Sequence, residues 1–226
     1  ARVELCAGIP EGGTTPSYGE IVMARQSTER IAIHVLIRPR AGDFLYTETE
    51  VGAMLHDIQV AHQLGVQGVV IGCLTPDGDI DESLLERLMA AARPLSVTFH
   101  RAFDVCRDPH AALELLIRHG VDRVLTSGQE ATAVQGIPLL RELVSQADGR
   151  IVVMPGCGVR AENIARIKSE TGAREFHTSA RRVVESGMIY RNERVPMGSC
   201  AVTSEFETVQ TDRREVARYV SQTCIK

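Results

Sequence analysis

Phe99-His100-Arg101-Ala102-Phe103-Asp104 sets an imidazole, a guanidinium and a carboxylate within one short stretch. That density of titratable groups suits acid–base chemistry, with His100 and Asp104 as the candidate proton-handling groups and Arg101 as a substrate contact. Asp104 would serve equally well as a structural hydrogen-bond acceptor. Ile37-Arg38-Pro39-Arg40-Ala41-Gly42-Asp43-Phe44 places Arg38, Arg40 and Asp43 on one loop. The guanidinium fork matches a carboxylate or phosphate, so this loop predicts a small anionic ligand. Pro155-Gly156-Cys157-Gly158-Val159 leads into a helix. Amides around Gly156 and Gly158 at that place suit phosphate, although the glycines would also serve a plain tight turn. Ser127 in Leu125-Thr126-Ser127-Gly128 and Ser179 in Thr178-Ser179-Ala180-Arg181 are contacts of the same kind.

These groups need a frame that brings them together. Short apolar runs alternate with helical stretches, the βαβα rhythm of a parallel sheet. Seven strands are expected: Arg2–Cys6, Ile31–Ile37, Gly68–Gly72, Ser96–His100, Asp122–Ser127, Ile151–Met154 and Arg174–Ser179. Helices are expected at Tyr18–Glu29, Glu48–Leu64, Glu82–Arg93, Pro109–His119, Ala131–Gln146 and Ala161–Glu170, with Asp108 as an N-cap before Pro109 and stops at Gly65 and Gly120. The pattern predicts a TIM-type (β/α)8 barrel lacking its first βα unit, which is expected ahead of Ala1, because a closed barrel has eight strands. One domain is expected over residues 1–226. Residues 187–226 read as a C-terminal extension, polar at first and ending in a helix from Ser204 to Gln222.

Strand alternation sorts the side chains. Ile31, Ile33, Val35 and Ile37 share the helix-facing side of the second strand, which turns His34 and Arg38 inward. The same rule puts Glu4 and Cys6, Thr98 and His100, and Glu175, His177 and Ser179 inside. Inward polar groups near strand ends on several strands mark a barrel site, although Glu4 and Arg38 also fit a buried ion pair.

Composition sets bounds. The 226 residues carry a net charge of -4, 44% hydrophobic and 24% charged residues, as a soluble domain does. Neither a basic footprint for nucleic acid nor a bilayer-length apolar run is present, so no nucleic acid, no membrane and a cytoplasmic setting are expected. Six cysteines, at 6, 73, 106, 157, 200 and 224, include no C-x-x-C pair and read as reduced thiols.

Val3-Glu4-Leu5-Cys6, Glu11-Gly12-Gly13-Thr14-Thr15-Pro16-Ser17, Ile37-Arg38-Pro39-Arg40 with Gly42-Asp43-Phe44 and Tyr46, Thr98 to Asp104, Leu125-Thr126-Ser127-Gly128 and Phe176-His177 to Ala180 together resemble the CutC family of copper homeostasis proteins. The resemblance spans nearly the whole chain. It implies a TIM-type barrel, a cytoplasmic homo-oligomer, a dimer first among the options, and Cu(I) binding at the barrel mouth. Cys6 matches one suggested copper ligand; its suggested partner belongs to a preceding strand that is not in this sequence. Cu(I) favours thiolate, thioether and imidazole, so His100 or His177 would qualify beside Cys6, and Cys73 stands at a third strand end. The rival expectation is an enzyme acting on a small anionic substrate. There Glu4, His100 and Asp104 would be catalytic, and Arg38, Arg40, Asp43, Arg101, Ser127, Gly156, Gly158, His177 and Ser179 would contact substrate.

Overall fold

The computed structural model describes residues 1–192, 194–195 and 204–223. Six parallel strands pair in chain order: β1 (Arg2–Leu5), β2 (Ala32–Leu36), β3 (Gly68–Ile71), β4 (Ser96–Phe99), β5 (Arg123–Thr126) and β6 (Val152–Pro155). Helices α1 (Tyr18–Ser27), α2 (Glu48–Gln63), α3 (Glu82–Ala92), α4 (Pro109–Arg118), α5 (Ile137–Ala147) and α6 (Ile164–Thr171) follow the strands in turn. This is an incomplete (β/α) barrel.

Local chemistry starts the helices. Ser17 with Glu20 and Thr47 with Glu50 form reciprocal capping boxes at α1 and α2. Asp108 caps α4 ahead of Pro109, as its sequence predicts. Helix α5 begins at Ile137, not Ala131, because Pro138 fits a first turn and disfavours helical backbone before it. Ile33, Val35, Ile37, Val69, Ile71, Val97 and Phe99 pack outward against Met54, Ile58, Leu85, Leu88, Leu113 and Leu116 of the helices. Each such side chain gains about 1.5–3 kcal/mol on burial, so this outer layer holds the frame.

Two expectations change. Arg174–Ser179 does not form a ladder strand. It runs beside β6 with His177 N–H donating to Pro155 O at 2.9 Å. Charges anchor it: Glu175 accepts from Arg2 of β1 at 2.6 Å and from Arg123 of β5 at 2.9 Å. With no strand on its far side among the described residues, side chains do the joining that a second ladder would do. Ser179, expected inward, is exposed.

The polar stretch after Ser179 contains a hairpin. Strand β7 (Arg181–Glu185) pairs antiparallel with β8 (Glu207–Thr211), and helix α7 (Arg213–Thr223) follows. The helix therefore starts nine residues after Ser204. Thr208, Val209 and Thr211 are β-branched and favour strand, and Asp212 supplies the helix start by accepting from Arg214 N–H at 2.7 Å. Cys200 and Cys224 lie outside the described residues. No helix among the described residues is long and apolar enough to cross a membrane.

Candidate functional site

Register fixes which inward side chains share a level. Glu4 of β1 lies opposite His34 of β2, His34 opposite Gly68 of β3, and Val70 of β3 opposite Thr98 of β4. A Cβ on Gly68 would sit 2.6 Å from the His34 ring, and one on Gly72 would sit about as close to the His100 ring. The two glycines thus vacate the inner face of the third strand so that neighbouring imidazoles lie over it. Gly72→Ala is accordingly expected to force His100 from its place and cost roughly 1–3 kcal/mol, read as a lower urea midpoint. An unchanged midpoint would refute that packing.

Glu4 is nearly buried and its Oε2 lies 3.0 Å from His177 Nε2. Burial pushes its carboxyl up, but the hydrogen bond and charge of His177, then Arg2 and His34, outweigh this and hold it below the usual carboxylate range. Burial, then the Arg2 guanidinium, lowers His34 to about 4. Burial, then Arg38, lowers His100 to about 3, so both rings are neutral at pH 7. Because His100 Nδ1 accepts from Ala102 N–H at 3.1 Å, its proton sits on Nε2. Phe44 packs on this ring, centroids 4.9 Å apart. Glu4 Oε1, His34 Nδ1, Thr98 Oγ1 and His100 Nε2 are all buried without a hydrogen-bond partner.

The expected anion contacts are differently engaged. Arg38 is buried, and its terminal nitrogens donate to the carbonyls of Glu11, Gly13 and Gly42 at 3.1, 2.8 and 2.7 Å. It stitches two loops together and leaves only Nε unpaired. Arg40 pairs with Glu50 at 2.6 Å and with the exposed Asp43 at 3.0 Å. Asp104 accepts from Thr126 Oγ1 at 2.5 Å, Ser127 N–H at 2.9 Å and Arg101 Nε at 2.6 Å. Its carboxylate is a staple between the ends of β4 and β5, with Arg101 and Ser127 in the same network. Gly156 N–H donates to Thr126 O at 2.9 Å, and a Cβ there would displace the Leu125 methyl end and crowd His177. Gly156 thus gives room to Leu125 and His177, and its amide is committed. Gly158 has φ +71°, a conformation that glycine supplies.

Four cysteines fall within the described residues, all reduced. Cys73 is fully buried, its thiol pushed far up by burial and its sulfur donating to Asp81 O at 3.6 Å, so it belongs to the core. Cys106 and Cys157 also hydrogen-bond through sulfur. Cys6 is half-buried at the end of β1; burial raises its thiol, with Arg181 opposing. Among the described residues no three His, Cys, Asp or Glu side chains are grouped to hold a metal ion. A cavity of about 490 Å³ lined by Ser145, Asp148, Ile151, Val153, Ala173 and Glu175 contains no histidine or cysteine.

His34 and Thr98 do not stand among the site residues chosen from sequence, although alternation already turned both inward. The missing signal was Gly68 and Gly72 at inward positions of one strand, which mark room for neighbouring rings.

The CutC family model matches residues 1–182. A CutC family protein of Parabacteroides distasonis is 68% identical over 219 residues, covering 97% of this chain and 90% of its own. The human copper homeostasis protein cutC homolog is 51% identical over 215 residues, covering 95% and 78%. The CutC crystal structure from Streptococcus agalactiae superimposes with TM-score 0.76 at 39% identity, over 78% of this chain and 87% of that one. An aldolase, QR15, shares the fold alone, with TM-score 0.57 at 16% identity over 70% and 73% of the chains. A match over most of the chain, with relatives of this identity, places the chain in the CutC family of copper homeostasis proteins.

Proposed function

We propose that this chain handles copper by taking up Cu(I) at the barrel mouth through Cys6 and handing it on without a chemical reaction. The observation that carries the reading is the state of the Cys6 sulfur: among the four described cysteines it is the one without a hydrogen bond, half-open at a strand end. Cu(I) accepts low coordination numbers, so one thiolate needs only one further soft donor. His177 is the candidate, because it lies against Glu4, the neighbouring inward residue of the same strand. A reducing cytoplasmic setting keeps such a thiol available. A homodimer fits the exposed Met188, Ile189 and Tyr190 after β7.

Titration with Cu(I) against a chromophoric chelator is expected to give one ion per chain, lost in Cys6→Ser. The thiol must release its proton to bind, and burial holds that proton on more firmly. Affinity is therefore expected to rise about tenfold per pH unit below the thiol pKa. Equal affinity in Cys6→Ser would sink the assignment.

A further inference from the structure

Four buried polar atoms on β1, β2 and the upper end of β4 have no hydrogen-bond partner, and they differ in what they can accept. His100 Nε2 is a donor, since Nδ1 already accepts from Ala102. Glu4 Oε1 is an acceptor, 3.8 Å from Arg2 Nε and beyond hydrogen-bond reach of it. Thr98 Oγ1 does both, and His34 Nδ1 does either according to tautomer. All four lie on the inner face of the sheet, with His34 and Glu4 at one level, Thr98 on β4 and His100 immediately after its last residue. Thr98 is fully buried, and His34 and His100 are 3% and 6% exposed. Val70, Leu125 and Met154 are also buried, outside the cluster that packs against the helices, so the inner surface mixes apolar and polar patches. Unpaired buried polar groups carry a desolvation cost, so this arrangement favours an occupant that supplies hydrogen bonds, ordered water or a solute that displaces it.

The mixture of donors and acceptors selects the occupant. An anion accepts only, and would face the Glu4 carboxylate. A cation donates only, and would face His100 Nε2–H with Arg38 behind it. The guanidinium forks that would hold a phosphate are committed to Glu11, Gly13 and Gly42 or to Asp104. A hydroxyl donates and accepts, and a chain of hydroxyls on a short carbon skeleton also covers apolar surface. We propose that the barrel interior is a binding site for a small neutral polyhydroxy compound, held by Glu4, His34, Thr98 and His100. The site uses no sulfur and meets the copper reading only at Glu4, which holds His177, so Thr98 is the residue that tests it separately.

The test uses the full chain with glycerol, erythritol and ribose as probes and glycerol 3-phosphate as the charged comparison, read by saturation-transfer NMR and thermal shift. At least one neutral probe is expected to show saturation transfer and raise the melting temperature, with glycerol 3-phosphate at least fivefold weaker. Thr98→Val removes an unpartnered hydroxyl and keeps the side-chain shape. It is expected to raise the melting temperature of the unliganded protein while weakening the probe at least fivefold, a pairing of effects that a purely structural threonine would not give. Glu4→Gln is expected to weaken the same probe. No transfer from any neutral probe, tighter binding of the phosphate, or full affinity in Thr98→Val would each overturn the proposal.

Discussion

Lowering the pH from 7 to 5 is expected to cost this protein roughly 4 kcal/mol of unfolding free energy, about 2 kcal/mol from each of two imidazoles. His34 and His100 sit at about 4 and about 3 in the folded chain, each chiefly through burial and then through Arg2 and Arg38 respectively. Glu4 opposes both shifts, as does Asp122 at His34, but neither reverses the direction. Once unfolded, both rings return to near 6.5. Above that value both states are neutral and the histidines cost nothing. Below it the unfolded chain takes up protons that the folded chain refuses, so stability falls from about pH 6.5 until the folded values are reached. Glu4 behaves differently: its lowered carboxyl still contributes at pH 5, and its share is lost only in stronger acid. Urea unfolding at a series of pH values would show the slope. His100→Gln should flatten it by about half, and a wild-type curve level between pH 7 and pH 5 would show that the rings are not held neutral.

Asp104→Ala is expected to destabilise the protein by about 3–5 kcal/mol, several times a typical surface change. The carboxylate receives Thr126 Oγ1, the amides of Ser127 and Gln129, and Arg101 Nε. Thr126 and Ser127 have no exposure to water, so their donors find no replacement when the carboxylate goes. The loss should appear as a fall in melting temperature of about 10 °C, given the few degrees per kcal/mol usual at this size. Cu(I) uptake through Cys6 should survive in the folded fraction, because Asp104 lies on β4–β5 loops and Cys6 on β1. A change under 1 kcal/mol would mean that the staple is not structural.

The six paired strands, the starts of α1 to α4 and the inward places of Glu4, His34, Arg38, Thr98 and His100 were legible in the sequence, because each depends on short-range rules. Alternation turned Glu4, Cys6, Arg38, Thr98 and His100 inward, and capping residues such as Asp108 marked where helices begin. Residues 174–179 show the limit. Their apolar and polar pattern is that of a strand, but a strand requires a neighbour's backbone, and Glu175 bridging Arg2 and Arg123 took that role instead. The hairpin of β7 and β8 was hidden for a similar reason, since its two halves lie over twenty residues apart.

The partner of each polar group was not legible at all. Arg38, Arg40, Arg101 and Asp104 have the chemistry of an anion site when read along the chain. Folding hands the guanidiniums to carbonyls and carboxylates, and hands Asp104 to the end of β5. His34 and Thr98, with ordinary neighbours in sequence, end without partners inside the barrel. The sequence by itself determined the residue types, the periodicity and hence the family and the barrel. Only tertiary structure decided which of those side chains are already satisfied, because a hydrogen bond between distant residues depends on a closed three-dimensional path that no local pattern encodes.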